Sequence, residues 1–179
     1  QIHTAKLDAR PIRLIGDKLH SHLPAGGNDY LSGEDGDDIL SGGLGSDRLF
    51  GGNGQDTLSG GEDIDALTGG LGKDMLTGGT GADSFIFASV EDSQLAIING
   101  NLADHVDVIE DFVRGGDVIN VRAIDADSAL AGDQAFSFLA DPGNYTGDWS
   151  GKLWSTTSNG VTIVYASNDA DAVAEMQIA

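Results

Sequence analysis

Residues 42–68 read GGLGSDRLF, GGNGQDTLS and GGEDIDALT, three nine-residue segments in unbroken phase. Each segment begins with two glycines and carries aspartate at its sixth position and leucine at its eighth; only the third has an aspartate, Asp63, at the fourth position, where the others have glycine. The same period extends outward from Pro24 to Ile86, which gives seven consecutive nonapeptides without an insertion. A fixed short period of this kind predicts a solenoid of stacked repeats.

Two positions are constant in all seven repeats and define what one repeat can build. The sixth position is Asp29, Asp38, Asp47, Asp56, Asp65, Asp74 and Asp83, and the eighth is Leu31, Leu40, Leu49, Leu58, Leu67, Leu76 and Phe85. The first six residues can adopt positive φ angles and form a tight turn, and the last three predict a very short strand with one inward side chain. Two repeats would then form one flattened coil, so that alternate repeats align on the same edge of the stack.

Stacking of such coils places the aspartates in two columns. Asp29, Asp47, Asp65 and Asp83 line one edge, and Asp38, Asp56 and Asp74 line the other. Carboxylates separated by one strand spacing, roughly 4.8 Å, repel one another strongly unless a cation lies between them. Calcium suits such a gap, because it prefers oxygen ligands and tolerates irregular coordination that the carbonyls of glycine turns can complete. Magnesium requires a stricter octahedron, and no cluster of histidine or cysteine favours zinc.

The composition agrees with a turn-rich β protein that binds cations. The chain has 179 residues, 27 glycines and a net charge of -20. Such a charge indicates a halophilic protein, partial disorder or bound cations, and it makes nucleic acid an unfavourable partner. There is no cysteine, so neither disulfides nor thiolate metal sites can form. No apolar run is long enough for a membrane span, no signal peptide opens the chain, and Gln1 in first place predicts a fragment of a longer protein.

Composition also divides the chain into three segments. Residues 1–23 predict an N-terminal lead-in strand or cap, residues 24–86 the nonapeptide β-roll, and residues 87–179 a C-terminal β-rich capping and secretion-associated region. The predicted fold is all-β: a parallel β-roll followed by an antiparallel β-sandwich-like C-terminal cap. His20 and His22 have no third ligand nearby, and the sequence lacks the HExxH motif of zinc proteases, so no catalytic residue is predicted.

The pattern GGxGxD followed by x-apolar-x resembles the nonapeptide of the repeats-in-toxin (RTX) family. After the repeats, GADSFIF at 81–87, EDS at 91–93 and DVIEDFVRGGDVINVRAIDA at 107–126 resemble the C-terminal domain of serralysin-type secreted proteins. The resemblance covers about residues 24–178. It implies calcium ions between turns eighteen residues apart, each held by carbonyls from positions one and three of one turn, positions two and four of its partner, and both sixth-position aspartates.

Carried onto this chain, the resemblance implies about five or six calcium ions, enough to offset half or more of the net charge. The implied side-chain ligands are Asp29, Asp38, Asp47, Asp56, Asp65, Asp74, Asp83 and Asp92, where Asp92 follows Asp74 by eighteen residues and would close a sixth site. The implied carbonyl ligands are Gly33, Asp35, Gly36, Gly42, Gly43, Leu44, Gly45, Gly51, Gly52, Asn53, Gly54, Gly60, Gly61, Glu62, Asp63, Gly69, Gly70, Leu71, Gly72, Gly78, Gly79, Thr80 and Gly81.

Asp63 departs from the repeat at a position that is expected to need a left-handed backbone. Aspartate is among the few residues other than glycine that tolerate this conformation, at some energetic cost. We therefore expect the fifth turn to bind calcium, but more weakly than its neighbours.

The predicted function is that of a non-enzymatic module of a larger secreted bacterial protein. Repulsion between the stacked aspartate carboxylates and a small hydrophobic core would keep the module unfolded at low calcium. Extracellular calcium would then fold it. An unfolded chain is suited to passage through type I secretion machinery. The module is expected to be monomeric and extracellular, without nucleic-acid partners or membrane insertion. Two alternatives remain: a polysaccharide-binding module, as in alginate epimerases, or an adhesin or matrix segment. Only two basic residues, Arg48 and Lys73, lie within the repeats, which argues against binding an anionic polysaccharide.

Overall fold

The computed structural model describes residues 2–3, 13–15, 20–21, 26–89, 92, 96–98, 101–103, 106–124, 137–138, 152–158, 161–167 and 176–178. Within these ranges the fold is all-β and contains no α-helix. Accordingly, the described residues include no helix with the length and hydrophobicity to cross a membrane.

Ten strands lead from the N-terminus through the repeats. They are β1 (Ile2–His3), β2 (Arg13–Ile15), β3 (His20–Ser21), β4 (Tyr30–Asp35), β5 (Ile39–Leu44), β6 (Arg48–Asn53), β7 (Thr57–Glu62), β8 (Ala66–Leu71), β9 (Met75–Thr80) and β10 (Ser84–Ile86). Eight follow: β11 (Ala96–Ile98), β12 (Asn101–Ala103), β13 (Val108–Ile109), β14 (Val118–Asn120), β15 (Ser137–Phe138), β16 (Lys152–Ser158), β17 (Val161–Ser167) and β18 (Met176–Ile178).

Alternate repeats stack in register, as the sequence predicts. Leu31 pairs with Leu49, and Leu40 with Leu58, so one coil contains eighteen residues and neighbouring strands run parallel. The coils form two six-stranded sheets, one in the order β1-β3-β5-β7-β9-β13 and the other in the order β14-β10-β8-β6-β4-β2. The predicted parallel β-roll is therefore confirmed.

The repeat strands are longer than the sequence predicts. The expected strand of three residues is wrong: β5 to β9 each contain six, because the first three positions of the next repeat continue the strand. Glycines at these positions allow the coils to approach closely; a Cβ on Gly52, for example, would collide with the backbone carbonyl of Glu34 in the preceding coil. The turn then occupies only positions four to six.

The hydrophobic core consists of two stacks of eighth-position side chains, one from each sheet, which form one cluster. All seven are at most 1% exposed, and Phe87 and Ile124 join the same cluster. Since one repeat contributes one large apolar side chain, the core is narrow, and most of each coil's surface is backbone and turn.

Additional strands extend the roll at both ends. On the N-terminal side, β2 pairs with β4 and β3 with β5, both parallel. On the C-terminal side, β13 pairs with β9 and β14 with β10, so the roll continues past the last repeat. A separate sheet has antiparallel β16-β17 and β17-β18 pairs and a parallel β15-β16 pair. Leu153 and Val164 of this sheet pack against the core of the roll. The proposed domain boundaries at residues 23 and 86 stay predictions.

Candidate metal centre

The sixth-position aspartates form the two columns that the sequence predicts, and all seven are buried. Five of these carboxylates, those of Asp47, Asp56, Asp65, Asp74 and Asp83, point back toward the preceding coil of their own column. Asp47 Oδ1, for example, accepts the backbone N–H of Asp29 at 2.7 Å, and Asp56 Oδ1 accepts that of Asp38 at 2.8 Å. The same bond joins Asp65 to Asp47, Asp74 to Asp56 and Asp83 to Asp65. One oxygen of each carboxylate thus fixes the side chain between two coils.

The second carboxylate oxygen has different surroundings. Oδ2 is buried and accepts no hydrogen bond in Asp47, Asp56, Asp65, Asp74 and Asp83. A buried carboxylate oxygen without a donor carries a large desolvation cost, unless a cation or a proton compensates it. The columns therefore fit a bound cation, because these oxygens supply negative charge that no group of the described chain satisfies.

Backbone carbonyls of two successive coils face one another across the stack. In the pair formed by repeats two and four, the carbonyls of Glu34 and Gly36 point toward the later coil, where a Cβ on the facing glycine would collide with each. From the later coil, the carbonyls of Gly51 and Asn53 point back. The Gly51 oxygen would lie 2.6 Å from a Cβ on Gly33, and Asn53 O accepts the Gly36 N–H at 2.8 Å. The carbonyls of positions two and four in the earlier coil, and of positions one and three in the later coil, thus face the neighbouring coil.

Positive φ angles at positions two and four produce these carbonyl directions. Glycine occupies most such positions, as in Gly43 (φ 110) and Gly45 (φ 107). The non-glycine residues with positive φ in the described chain are Glu34 (φ 68) and Asp63 (φ 76). The left-handed backbone predicted for Asp63 is therefore confirmed. The sequence reasoning did not include Glu34 among the candidate carbonyl ligands, although its place one residue after Gly33 marks it as a second-position residue.

Burial makes the columns costly to ionise. Desolvation raises the pKa of Asp47 and Asp56 to about 6, and of Asp65 and Asp74 to about 7. The backbone N–H bonds oppose this shift, and neighbouring aspartates of the same column add to it. A proton or a cation at these carboxylates would relieve the cost of burying their charge.

Both columns continue beyond the repeats through two aspartates that the sequence reasoning missed. Asp107 Oδ1 accepts the N–H of Asp74 at 2.9 Å, and Asp117 Oδ1 accepts that of Asp83 at 3.0 Å. Each begins a DVI triplet, which matches positions six to eight of a repeat, so the signal was present but lay outside the nine-residue phase. Burial and the charge of Asp74 raise the pKa of Asp107 to about 9.

Asp92 lies elsewhere than its spacing suggests. The position next to Asp74 in the column belongs to Asp107, because the chain makes a detour before it rejoins the roll. Asp92 is buried, and its Oδ2 accepts the N–H groups of Ala88 at 2.6 Å and Ser89 at 3.1 Å. Its charge also raises the pKa of Asp74 and Asp107. A ligand role for Asp92 stays a prediction.

The arrangement is a ladder of carboxylate pairs rather than a compact cluster. Among the residues that the structure describes, no group of three or more His, Cys, Asp or Glu side chains is placed to hold a metal ion. His20 lies in β3, and His22 and His105 fall outside the described residues. Each site would therefore use two aspartates and backbone carbonyls, a donor set of oxygens only, which suits calcium.

The fold and the ladder define a parallel β-roll of calcium-binding type. The family model of the RTX calcium-binding nonapeptide repeat matches residues 25–58 and 50–85. The repeat region belongs to this family, whose β-roll is a structural calcium-binding module and not a catalytic one.

Two solved structures from the mannuronan C5-epimerase of Azotobacter vinelandii are similar to the chain. Its AlgE6R3 subunit is 30% identical, with 97% of this chain and 78% of that chain covered and a TM-score of 0.38. Its AlgE6R2 subunit is 27% identical, with coverages of 96% and 83% and a TM-score of 0.43. The comparison with curated proteins found no match. The fold assignment rests on the strand register and the repeat family, since both TM-scores are low.

Proposed function

We propose that this chain is a calcium-responsive folding module, unfolded at low calcium and folded at extracellular calcium, which supports the secretion and folding of a larger bacterial protein. The observation that carries the proposal is the set of buried aspartate Oδ2 atoms without a hydrogen-bond donor. Because folding buries these charged oxygens, we expect it to be favourable only where a cation is available to compensate them.

The residues that would hold calcium are the paired aspartates of each column and the carbonyls between them. The complete pairs within the repeats are Asp29/Asp47, Asp47/Asp65, Asp65/Asp83, Asp38/Asp56 and Asp56/Asp74. Asp74/Asp107 and Asp83/Asp117 extend the same pairing by one step in each column. When bound, calcium supplies the positive charge that compensates the buried carboxylates. The sequence predicts five or six ions, and the two pairs beyond the repeats would raise the number of candidate sites to seven.

The energetic balance supports folding that depends on calcium. The burial of one apolar side chain per nine residues stabilises the fold by less than the backbone entropy lost in ordering those nine residues. Hydrogen bonds between coils offset part of this entropy loss, but they do not remove the repulsion between the carboxylates. Because calcium would bind the folded chain and not the unfolded one, its binding free energy becomes folding free energy.

Secretion follows as the biological setting. An unfolded, highly acidic chain can be threaded through a type I secretion channel, and the high calcium outside the cell would then drive its folding. We propose an extracellular, monomeric module that does not insert into membranes. Its charge of -20 disfavours nucleic acid as a partner.

Circular dichroism tests the proposal directly. In chelator the chain is expected to give a largely disordered far-UV spectrum, and added calcium is expected to produce a cooperative transition to β structure. Magnesium at the same concentration is expected to produce much less, since it keeps its waters and demands octahedral geometry. A β spectrum in chelator that calcium leaves unchanged would falsify the proposal.

A further inference from the structure

One asparagine of the roll stands directly before a fourth-position glycine. The fourth position is glycine in six of the seven repeats, whereas the third position varies from repeat to repeat. The fourth repeat has asparagine at its third position, so that Asn53 precedes Gly54. Among the residues that the structure describes, Asn53 is the asparagine whose next residue is glycine. The repeat pattern thus creates an Asn-Gly pair inside the roll.

An Asn-Gly pair can deamidate in water without an enzyme or a cofactor. The main-chain nitrogen of Gly54 attacks Asn53 Cγ, so that an N–Cγ bond closes a succinimide ring while the Cγ–Nδ2 bond breaks. Nδ2 leaves as ammonia and takes with it the proton of the Gly54 N–H. Water then opens the ring: cleavage of the new N–Cγ bond gives aspartate, and cleavage of the original peptide bond gives isoaspartate. Glycine favours ring closure because no side chain shields its nitrogen.

The folded roll holds both reacting groups in hydrogen bonds to neighbouring coils. The Gly54 N–H donates to the Leu71 carbonyl at 2.8 Å, and Asn53 Nδ2 donates to Asp35 Oδ1 at 2.7 Å. Ring closure breaks both bonds, because the Gly54 nitrogen must lose its proton and Asn53 Cγ must move onto that nitrogen. The Asn53 side chain is exposed, so burial does not keep water away from it. The hydrogen bonds therefore oppose the reaction in the folded state.

The main chain at the pair is also fixed on both sides. Asn53 lies in register between Asp35 and Leu71 of the two neighbouring parallel strands. Its carbonyl accepts the Gly36 N–H at 2.8 Å. Gly54 has a φ of 143, and a Cβ on it would collide with the Gly36 carbonyl, so the turn is closely packed. The roll must open locally before the pair can rearrange into a ring.

We propose that Asn53–Gly54 is a deamidation site that calcium controls through folding: the unfolded chain reacts, and the folded roll does not. This control rests on the proposed calcium-dependent folding. A chain kept at low calcium lacks the hydrogen bonds between coils and accumulates aspartate and isoaspartate at position 53. A chain that folds on calcium is protected. The modification thus increases with the time that the chain has spent unfolded.

Both products disturb the roll at the coil in which they form. Aspartate at position 53 replaces the amide donor to Asp35 with a second carboxylate, so a hydrogen bond becomes a repulsion between like charges. Isoaspartate adds a methylene to the main chain of β6, which pairs with β4 on one side and β8 on the other. The added atom displaces the hydrogen bonds that Gly36 and Gly54 donate. Modification of the unfolded chain therefore opposes its later folding on calcium.

Peptide mapping by mass spectrometry tests the site on the full chain, incubated in chelator and in saturating calcium. Deamidation of Asn53 is expected to be about tenfold or more slower in calcium, since the reaction then requires local opening. An isoaspartyl methyltransferase assay identifies isoaspartate in the same peptide. A synthetic peptide of residues 50–58 gives the rate of an unfolded Asn-Gly pair and shows whether calcium itself alters the chemistry. Circular dichroism measures folding of the full chain in each condition.

Asn53→Ser is the matched control for the effect on folding, because serine has no amide and carries no charge. The wild type and the variant share two further Asn-Gly pairs, Asn99–Gly100 and Asn159–Gly160, which fall outside the described residues. After storage in chelator, the wild type is expected to need more calcium to fold, whereas Asn53→Ser is expected to keep its calcium midpoint. An equal change in both chains would overturn the role of position 53. Freshly prepared Asn53→Asp is expected to raise the midpoint without storage, and an unchanged midpoint would contradict the repulsion with Asp35.

The outcomes separate this inference from the proposed function. Equal deamidation rates in chelator and in calcium, in a chain that calcium folds, overturn the calcium control and leave the calcium module intact. Slow deamidation in chelator, at a time when the synthetic peptide has reacted, also overturns it. In that case the proposed function fails as well if the chain shows β structure in chelator, and it stands if the chain is unfolded there. Equal rates in a chain that calcium does not fold contradict the proposed function and the calcium control together.

Discussion

Asp63 shows how one residue can meet a backbone requirement and still alter its site. Its φ of 76 places it in the left-handed region, where the other repeats have glycine at the same position. Its carbonyl lies under Gly81 as the repeat geometry requires, and its side chain is exposed. Its charge raises the pKa of both Asp47 and Asp65. The fifth turn therefore keeps the ladder geometry while adding conformational strain and local repulsion.

Replacing Asp63 with glycine is expected to lower the calcium concentration at the folding midpoint. Glycine removes a left-handed strain of about 1 kcal/mol, and the greater freedom of glycine in the unfolded chain offsets part of this gain. The measurement is a calcium titration followed by circular dichroism. Asp63→Asn is the control, because asparagine removes the charge and keeps the tolerance for positive φ. A midpoint that stays the same or rises in Asp63→Gly would show that the turn is not the strained site inferred here.

At the scale of the strand and turn, the first-position glycines are a steric requirement of the ladder. A Cβ on Gly60 would collide with Asp65 Oδ2 of the same repeat and would lie 2.7 Å from the Gly78 carbonyl of the next coil. The backbone of Gly60 is not in the left-handed region, so space alone excludes a side chain. The Gly-Gly start of the repeat therefore has two different causes: space at the first position and positive φ at the second.

The variant Gly60→Ala is expected to destabilise the calcium-bound fold by about 2 kcal/mol, the usual range for forcing an extra methyl into a packed site. Chemical denaturation in saturating calcium measures the change. Glu62→Ala, two residues away on an exposed surface, is the matched control and is expected to change stability little. Equal stability of the wild type and Gly60→Ala would mean that the coils can separate to admit a side chain.

The end of each column provides a test of the two aspartates that lie outside the repeats. Asp107→Ala removes the acceptor of the Asp74 N–H and one carboxylate of a proposed site. We expect it to lower the number of calcium ions bound, measured by calorimetric titration. Asp111→Ala is the control: Asp111 accepts the N–H groups of Gly78 and Gly79 but is not part of either column. It is expected to weaken folding without changing the number of ions; the same loss of ions in both variants would contradict the role of Asp107.

The repeat elements were predictable because periodicity fixes local chemistry, and the exceptions were not. The unbroken nine-residue period predicted the coil, the aspartate columns and the core residues, because each eighth-position side chain stacks on equivalent side chains in the neighbouring coils. The predicted strand length was wrong because glycines at positions one to three are typical of turns, although here these residues pair in the sheet. Asp107 was missed because the detour before β13 breaks the phase, and sequence spacing then no longer measures distance along the stack.

For the molecule as a whole, ionisation and folding are coupled through the columns. The pKa of an unfolded aspartate is near 3.8, whereas burial raises it in the folded chain to about 6 in Asp47 and Asp56 and to about 7 in Asp65 and Asp74. The folded state therefore binds more protons than the unfolded state between about pH 4 and pH 7. By linkage, stability without calcium is greatest near the acidic end of this window and is lost as pH rises through the folded pKa values.

Protons and calcium are thus expected to bind the same carboxylates, so that acid promotes folding without calcium and competes with calcium when it is present. In chelator, lowering the pH from 8 to 5 is expected to increase β structure in the far-UV spectrum, because protons neutralise the columns. In calcium, the same change is expected to raise the calcium midpoint, since protons compete with the ion for the carboxylates. Paired titrations at both pH values measure the two effects, and light scattering excludes aggregation near the pI of 4.1. Column variants Asp56→Asn and Asp65→Asn together are expected to reduce both pH effects. If the pH effects persist in this double variant, the linkage resides in other carboxylates and not in the ladder.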